Sequence, residues 1–308
     1  MFGHLEKTER NMLMVEEHVA AIMVTYNPEE DLVNNVKSIV KSASKLIIID
    51  NGSGTASLEY LREVEAIPSV KVVYNGMNKG LGTALNQGIL CYLEDKQYEK
   101  IDWIATFDQD SKISENFFTT MLLAYDSLPE QHKVAILAPN WVDENLLHEE
   151  TTESPQASAI TEPKTVITSG SLIKKSVFKD IGLFIEEYFI DFLDIEFCLR
   201  ARKNGYKIIM VQNVSMVHNL GNTKRHNLLG SRVMATNHNY IRRYYITRNR
   251  ILTYRKYSKG EKEWIKEDIK ATLKETIIVL LFEKDRLRKL TSMIKGSIHG
   301  MIGKTGPM

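Results

Sequence analysis

The chain has 308 residues, 43% of them hydrophobic and 26% charged, with a formal net charge of +1. That is enough for one large folded domain with an appendage, and it excludes a disordered or fibrous chain. Two cysteines, Cys91 and Cys198, exclude a disulfide framework and suit a reducing cytoplasm, and neither a signal-peptide pattern nor a run near the roughly 20 apolar residues of a membrane span is present.

Val19 to Val24 is a short continuous apolar run, as a parallel strand covered on both faces requires. Asn27 is expected to cap a helix with Pro28 at its first position, and Leu32, Val33, Val36, Ile39 and Val40 fall on one helical face. Leu46 to Ile49 reads as a second strand ending in the turn signal Asp50-Asn51-Gly52-Ser53. Val70 to Tyr74 is a third strand, and Leu81, Leu85, Ile89 and Tyr92 mark a helix after Gly80. Ile101 to Phe107 is a fourth strand, ending at Asp108-Gln109-Asp110. Ser114 then opens a helix with Phe117, Phe118, Met121 and Leu122 inward. Alternating strands and helices of this length mean βαβ units, hence an α/β fold with a mostly parallel sheet. Asn140 to Pro163 lacks periodicity and reads as a mobile loop beside the site. From Ser231 onward the pattern is helical, with Ile241, Tyr244, Tyr245, Ile251 and Leu252 as core candidates.

The small net charge hides an asymmetry. Residues 1–196 hold 32 acids and 16 bases, whereas residues 197–260 hold 14 bases and no acid. Such a stretch reads as an anion site, a membrane-facing surface or a nucleic-acid patch, or else as a basic surface docked on the acidic domain.

Asp108 and Asp110 carry the strongest chemical signal. Two carboxylates two residues apart on extended backbone project to one side about 7 Å apart and repel each other unless a cation stands near. At the carboxyl end of a strand they stand where open α/β sheets bind ligands, which suggests a divalent metal holding a phosphate-bearing substrate. Four strand ends carry polar or glycine-rich punctuation: Thr25-Tyr26-Asn27, Asp50 to Ser53, Asn75 to Gly82, and Asp108 to Asp110. In a parallel sheet these ends share one edge, so their groups converge on one crevice.

This array resembles the inverting glycosyltransferases of family 2, with their nucleotide-binding GT-A fold. The likeness covers about residues 18–255. It rests on Val-Thr-Tyr-Asn at 24–27, Ile-Asp-Asn-Gly-Ser at 49–53, Asn-Lys-Gly-Leu-Gly at 78–82, Asp-Gln-Asp at 108–110 and Asp194 to Arg200. The bacterial rhamnosyltransferases are most similar, sharing Asp-Gln-Asp and the Tyr-Tyr-x-x-Arg-Asn of Tyr244 to Asn249. The resemblance implies an N-terminal extension (1–17), a GT-A catalytic domain (18–230) and a helical C-terminal region (231–308). The catalytic domain would divide into a nucleotide-binding half (18–112) and an acceptor half (113–230). Thr25, Tyr26, Asn27, Asp50, Asn78, Lys79, Gly80, Asp108 and Arg248 would contact the nucleotide. Asp50 would accept from the pyrimidine N–H, and Arg248 would close over the diphosphate. Asp108, Asp110 and His218 would hold Mg²⁺ or Mn²⁺. Asp194 would be the general base, with Asp191 as runner-up. Glu196 would be a helix-dipole partner.

The implied reaction moves a sugar onto a hydroxyl of a polysaccharide or lipid-linked oligosaccharide. The donor would be dTDP-L-rhamnose, with a UDP-linked hexose or galactofuranose as the alternative. The expected location is the cytoplasm. Contact with the inner face of the membrane, by Arg242, Arg255, Lys256 and the tail around Trp264, is an open option, as is oligomerisation. A nucleotidyltransferase would need a glycine-rich basic loop after the first strand, where Thr25-Tyr26-Asn27-Pro28 stands. A nucleic-acid-binding protein would use Tyr240, Tyr244, Tyr245 and Tyr254 among the arginines but leaves the acidic strand ends unexplained, so nucleic acid is not an expected partner.

Overall fold

The structure, a computed structural model, describes residues 17–143, 160–218, 223–228 and 231–308. Strands β1 (Val19–Thr25), β2 (Lys45–Asp50), β3 (Val70–Tyr74) and β4 (Trp103–Asp108) alternate with helices α1 (Asp31–Val40), α2 (Leu58–Glu65) and α3 (Leu81–Glu94). Helix α4 (Phe117–Asp126), strands β5 (Val134–Asp143), β6 (Ile160–Thr161) and β7 (Leu172–Lys174), and helices α5 (Lys175–Ile181) and α6 (Leu193–Lys203) follow. The long strand β8 (Lys207–His218) and the hairpin β9 (Lys224–Leu228) and β10 (Ser231–Ala235) precede three C-terminal helices, α7 (Tyr240–Tyr257), α8 (Lys262–Phe282) and α9 (Arg286–Met301).

The central sheet has the order β3-β2-β1-β4-β7-β5-β8-β6. Its first four strands are parallel, as are β5 and β8. Strand β7 is antiparallel to both neighbours, and β6 to β8. The apolar runs are continuous because both faces are covered. Val19, Ala21 and Met23 face Leu32, Val36 and Ile39 of α1 and Phe117 and Phe118 of α4. Ala20 and Ile22 face Leu85 and Ile89 of α3 and Phe197 of α6.

Three expectations change. Helix α1 begins at Asp31, not Pro28, because Asn27 takes a left-handed φ of +50° and turns the chain instead of capping it. Asn140 to Asp143 extend β5 and Ile160–Thr161 form β6, and residues 144–159 of the expected loop lie outside the described residues. The helical region starts at Tyr240: Ser231 to Ala235 pair with Leu228 to Lys224, and Val233 and Ala235 pack on Ile278. Ile241, taken for core, is exposed, whereas Tyr244 and Tyr245 are buried.

The C-terminal helices are fastened to the sheet domain. Tyr188, Phe192 and Leu199 form one cluster with Ile246, Tyr257 and Trp264, so Trp264 is core rather than a membrane anchor. Helices α7 and α9 cross at two glycines. A Cβ on Gly296 would meet the Tyr244 carbonyl at 2.5 Å, and one on Gly300 the Arg248 carbonyl at 2.7 Å.

Candidate active site at the carboxyl ends of the strands

Register sets the site. Thr25 stands opposite Asp50, Val24 opposite Asp108, and Asp50 opposite Tyr74, so the four parallel strands end level. Gln109 knits two of these ends: its Oε1 accepts from the Tyr26 N–H at 2.8 Å, and its carbonyl accepts from Asn35 Nδ2 at 2.9 Å. Asp108 is the last residue of β4, and the Ser111 N–H donates to its carbonyl at 3.2 Å. Asp110 therefore sits in a turn, not on the extended backbone assumed from the sequence. Among the described residues no three His, Cys, Asp or Glu side chains gather as a metal-holding group, and the side chain of His218 lies outside the described part. The hard oxygen donors of Asp108 and Asp110 suit Mg²⁺ or Mn²⁺, which commonly take one or two carboxylates and complete their shell with water and substrate phosphate.

Asp50 is only 2% exposed and is occupied within the protein. It accepts from Thr25 Oγ1 at 3.2 Å, from the N–H groups of Gly52 and Ser53 at 3.3 and 3.1 Å, and from the Ser53 hydroxyl. These four donors make Asp50 the brace of the turn at residues 51–54, at the strand end where the pyrimidine contact was expected. Asn27 serves the same turn: its Oδ1 accepts from the Gly54 N–H at 2.8 Å, and its own N–H donates to Ser53 Oγ at 2.8 Å. Thr25 is fully buried, whereas Tyr26 is 50% exposed and its ring is open. Asn78 Oδ1 accepts from Asn51 Nδ2 at 3.1 Å and from the Gly80 N–H at 2.9 Å, and Lys79 Nζ reaches Asn75 Oδ1 at 3.1 Å. Gly80 is required by the protein itself. Its φ is +90°, and a Cβ there would meet Phe189 at 2.8 Å. The next N–H, of Leu81, donates to the Phe189 carbonyl at 2.6 Å.

That contact brings in the segment before α6. The negative charges of Asp191 and Asp108 both act on Asp194, and Arg242 feels all three. The two acids are in different states. Asp191 is gripped by the Arg242 fork, with Nε at 3.1 and 3.2 Å from its two oxygens and Nη2 at 3.0 Å. Burial still raises its carboxyl above the ordinary range, against that cation. No ion pair holds Asp194 among the described residues; its Oδ1 accepts from the Ile195 N–H at 2.8 Å. Burial pushes Asp194 up to about 6, the nearby charges of Asp191 and Asp108 add to this, and backbone hydrogen bonds oppose it. An unpaired carboxylate raised toward neutrality is what proton abstraction near pH 7 needs.

The basic stretch is mostly spent inside the molecule. Arg248, expected over the diphosphate, is 0% exposed. It donates to the carbonyls of Gly306, Glu187 and Tyr188, the last two at 3.2 and 3.0 Å. Arg243 pairs with Glu275 and Glu283, and Arg250 with Asp268 at 2.9 Å and Glu275. The residues considered for lipid contact also have internal partners: Arg242 has Asp191, Arg255 donates to the Gly300 carbonyl at 2.9 Å, and Lys256 meets Glu196 at 2.7 Å. Arg248→Ala should therefore act on stability. It removes a fully buried guanidinium and its three hydrogen bonds to backbone carbonyls, a loss of roughly 3 kcal/mol or more. Donor affinity by calorimetry should stay near wild type in the folded fraction, and a variant of normal stability and weakened donor binding would restore the diphosphate role.

Sequence reasoning missed Arg242 and Gln109. Arg242 is one of six bases on a single helix, and which of them points at the site depends on how α7 lies on the sheet. Gln109 was visible as the middle of Asp-Gln-Asp, but a search for acids passes over it.

The sequence profile described as glycosyl transferase family 2 matches residues 20–182, more than half of the chain. The chain belongs to glycosyl transferase family 2. This glycosyltransferase is 28% identical to the dTDP-rhamnosyl transferase RfbF of Shigella flexneri, over 95% of this chain and 98% of that one. It is 22% identical to the low-salt glycan biosynthesis hexosyltransferase Agl10 of Haloferax volcanii, over 99% and 97%. Among solved structures it is similar to GalNAc-T7 with UDP, GalNAc and Mn²⁺ (TM-score 0.57, 14% identity, 80% of this chain and 49% of that one). It is also similar to Staphylococcus aureus TarS 1–349 (TM-score 0.51, 13% identity, 93% and 72%). These likenesses show the GT-A fold. The glycosyltransferase spans about half the length of the GalNAc-T7 chain. The family match stops at residue 182, before Asp191 and Asp194, so the base assignment rests on the geometry above. No helix among the described residues is long and apolar enough to cross a membrane.

Proposed function

We propose that this glycosyltransferase moves L-rhamnose from dTDP-L-rhamnose onto a hydroxyl of a saccharide or lipid-linked acceptor, with inversion at the anomeric carbon. The observation that carries the reading is Asp194: a buried carboxylate raised to about 6, without an ion-pair partner among the described residues, and within range of the charges of Asp191 and Asp108. The rhamnosyl donor is supported by the 28% identity to the dTDP-rhamnosyl transferase RfbF of Shigella flexneri.

Asp194 accepts the proton of the acceptor hydroxyl as its oxygen forms a bond to the anomeric carbon. The bond from that carbon to the diphosphate breaks on the opposite face, and the nucleoside diphosphate leaves with the electron pair. Tyr26 stacks on the nucleobase, and Lys79 with the Asn78–Gly80 backbone borders the diphosphate. Asp108 and Asp110 would hold Mg²⁺ or Mn²⁺, which supplies charge neutralisation for the leaving group. Asp50 and Asn27 act from behind, fixing the turn of residues 51–54.

A thermal-shift panel tests the donor. A ligand bound only by the native state stabilises it by RT ln(1 + [L]/Kd), about 2.7 kcal/mol at a hundredfold excess over Kd. dTDP-L-rhamnose should raise Tm most, and further with Mn²⁺. A response to UDP-hexoses with none to dTDP-L-rhamnose would replace the donor, and no response to any nucleotide sugar would remove the reading.

A further inference from the structure

The segment that carries the two acids is unusual. Phe189, Asp191 and Phe192 all have left-handed φ values, +66°, +63° and +68°, and none is glycine. L-residues adopt this region only where the surroundings over-determine it. On the sheet side the backbone bond is that from the Leu81 N–H to the Phe189 carbonyl. Most of the remaining restraint comes from α7. The two hydrogens of the Asn249 amide are shared among three carbonyl groups of the segment, those of Tyr188 at 3.0 Å, Ile190 at 2.8 Å and Asp191 at 2.9 Å. Asn249 is itself fully buried. The Tyr245 ring stacks on Phe189, with centroids 5.2 Å apart and planes 20° apart. The Arg242 fork takes the Asp191 carboxylate, and the Thr253 hydroxyl pairs with that of Tyr188 at 2.9 Å. Residues 242, 245, 249 and 253 recur at helical spacing, so one stripe of α7 templates the whole turn.

We infer that Asn249 is a positioning residue for transfer: its amide fixes the left-handed backbone of residues 188–192 and thereby aims Asp194 at the acceptor, while Arg242 draws Asp191 aside. The inference rests on Asp194 being the base. It assigns a task to the C-terminal helix that the matched family region, ending at residue 182, does not contain. An amide suits the task because its NH₂ faces carbonyls, which accept. A carboxylate of the same shape would set oxygens against oxygens.

The test compares Asn249→Ala, Asn249→Asp and Arg242→Met with wild type and with Asp194→Asn. Tm, donor affinity and steady-state kinetics are measured for each, since donor binding reports an intact nucleotide side. Displacing a reacting group by about an ångström costs about 100-fold in rate. The Asn249 variants should therefore lose about that much in kcat while donor KM moves less than about threefold. Folded Asn249→Ala or Asn249→Asp protein with wild-type kcat overturns the inference, whatever its Tm. If both fail to fold, the half-exposed Arg242 stands in: Arg242→Met should lower kcat at least tenfold at unchanged donor affinity, and wild-type kcat there overturns the clamp. Undiminished turnover by Asp194→Asn would instead strike the base reading.

Discussion

Asp194→Asn is expected to lower the transfer rate by about 10³-fold while donor binding survives. General-base assistance contributes roughly 10²–10⁴-fold, and the amide keeps the shape of the carboxylate without its basicity. Activity in wild type should rise with pH through about 6, the value to which burial and the neighbouring acids push this carboxyl, and then level off. The same shift carries a stability consequence of opposite sign. Between its ordinary value of 3.8 and about 6 the folded protein holds the Asp194 proton more tightly than the unfolded chain does. The fold therefore loses stability as pH rises through that window. The variant cannot lose a proton there, so it should match wild type near pH 4 and be the more stable of the two at pH 7.5. Chemical denaturation at the two pH values reads this directly. Equal transfer by variant and wild type, or an activity profile flat from pH 5 to 8, would exclude Asp194 as base.

Glu196→Ala should destabilise the protein by about 3–5 kcal/mol, the usual result of breaking a buried ion pair from one side. Glu196 is 0% exposed and stands at the meeting point of α6 and α7. It accepts from Arg200 Nη2 at 2.8 Å, from Lys256 Nζ at 2.7 Å and from the Tyr257 hydroxyl at 2.8 Å. Burial alone would raise its carboxyl, but Arg200 and Lys256 together hold it below the ordinary value. Its contribution is therefore present above its unfolded value of 4.5 and is lost as pH falls through the lower folded value. Removing it leaves the mostly buried Arg200 beside Phe197 without a counter-charge. For a chain of this size the loss corresponds to a fall in Tm on the order of 10 °C. An unchanged urea midpoint would show that the cluster is decoration. The role of helix-dipole partner expected for Glu196 is thus too small: it joins the sheet domain to the C-terminal helices.

The sheet was legible because β1, β2 and β4 are unbroken apolar runs that end in polar turns, and that pattern has few other physical readings. The site edge followed from it, since parallel strands must end level. The hairpin of β9 and β10 escaped notice because Lys224-Arg225-His226-Asn227 has no apolar alternation, and β10 hides its period behind a helical one. The roles within the site were harder. The bracing of Asp50 does not show in a string of letters: three of its four donors lie within the next three residues, a local turn that forms only when the chain folds back. The acid-free stretch misled for a physical reason too. Arg243 and Arg250 find Glu275 and Asp268 on the following helix and Glu283 just past its end, 18 to 40 residues away. A charge count by segment separates partners that folding joins.

The clasp of α7 on the turn before α6 bears on the order in which the protein becomes competent. Its bonds join residues about 60 positions apart, and α7 follows all four parallel strands β1 to β4 in the chain, so it is synthesised after them. A nascent chain emerging from a ribosome could thus complete its nucleotide-side strands well before the acids before α6 are held in their unfavourable backbone. Donor recognition would mature ahead of chemistry, and a half-made enzyme would grip an activated sugar without spending it.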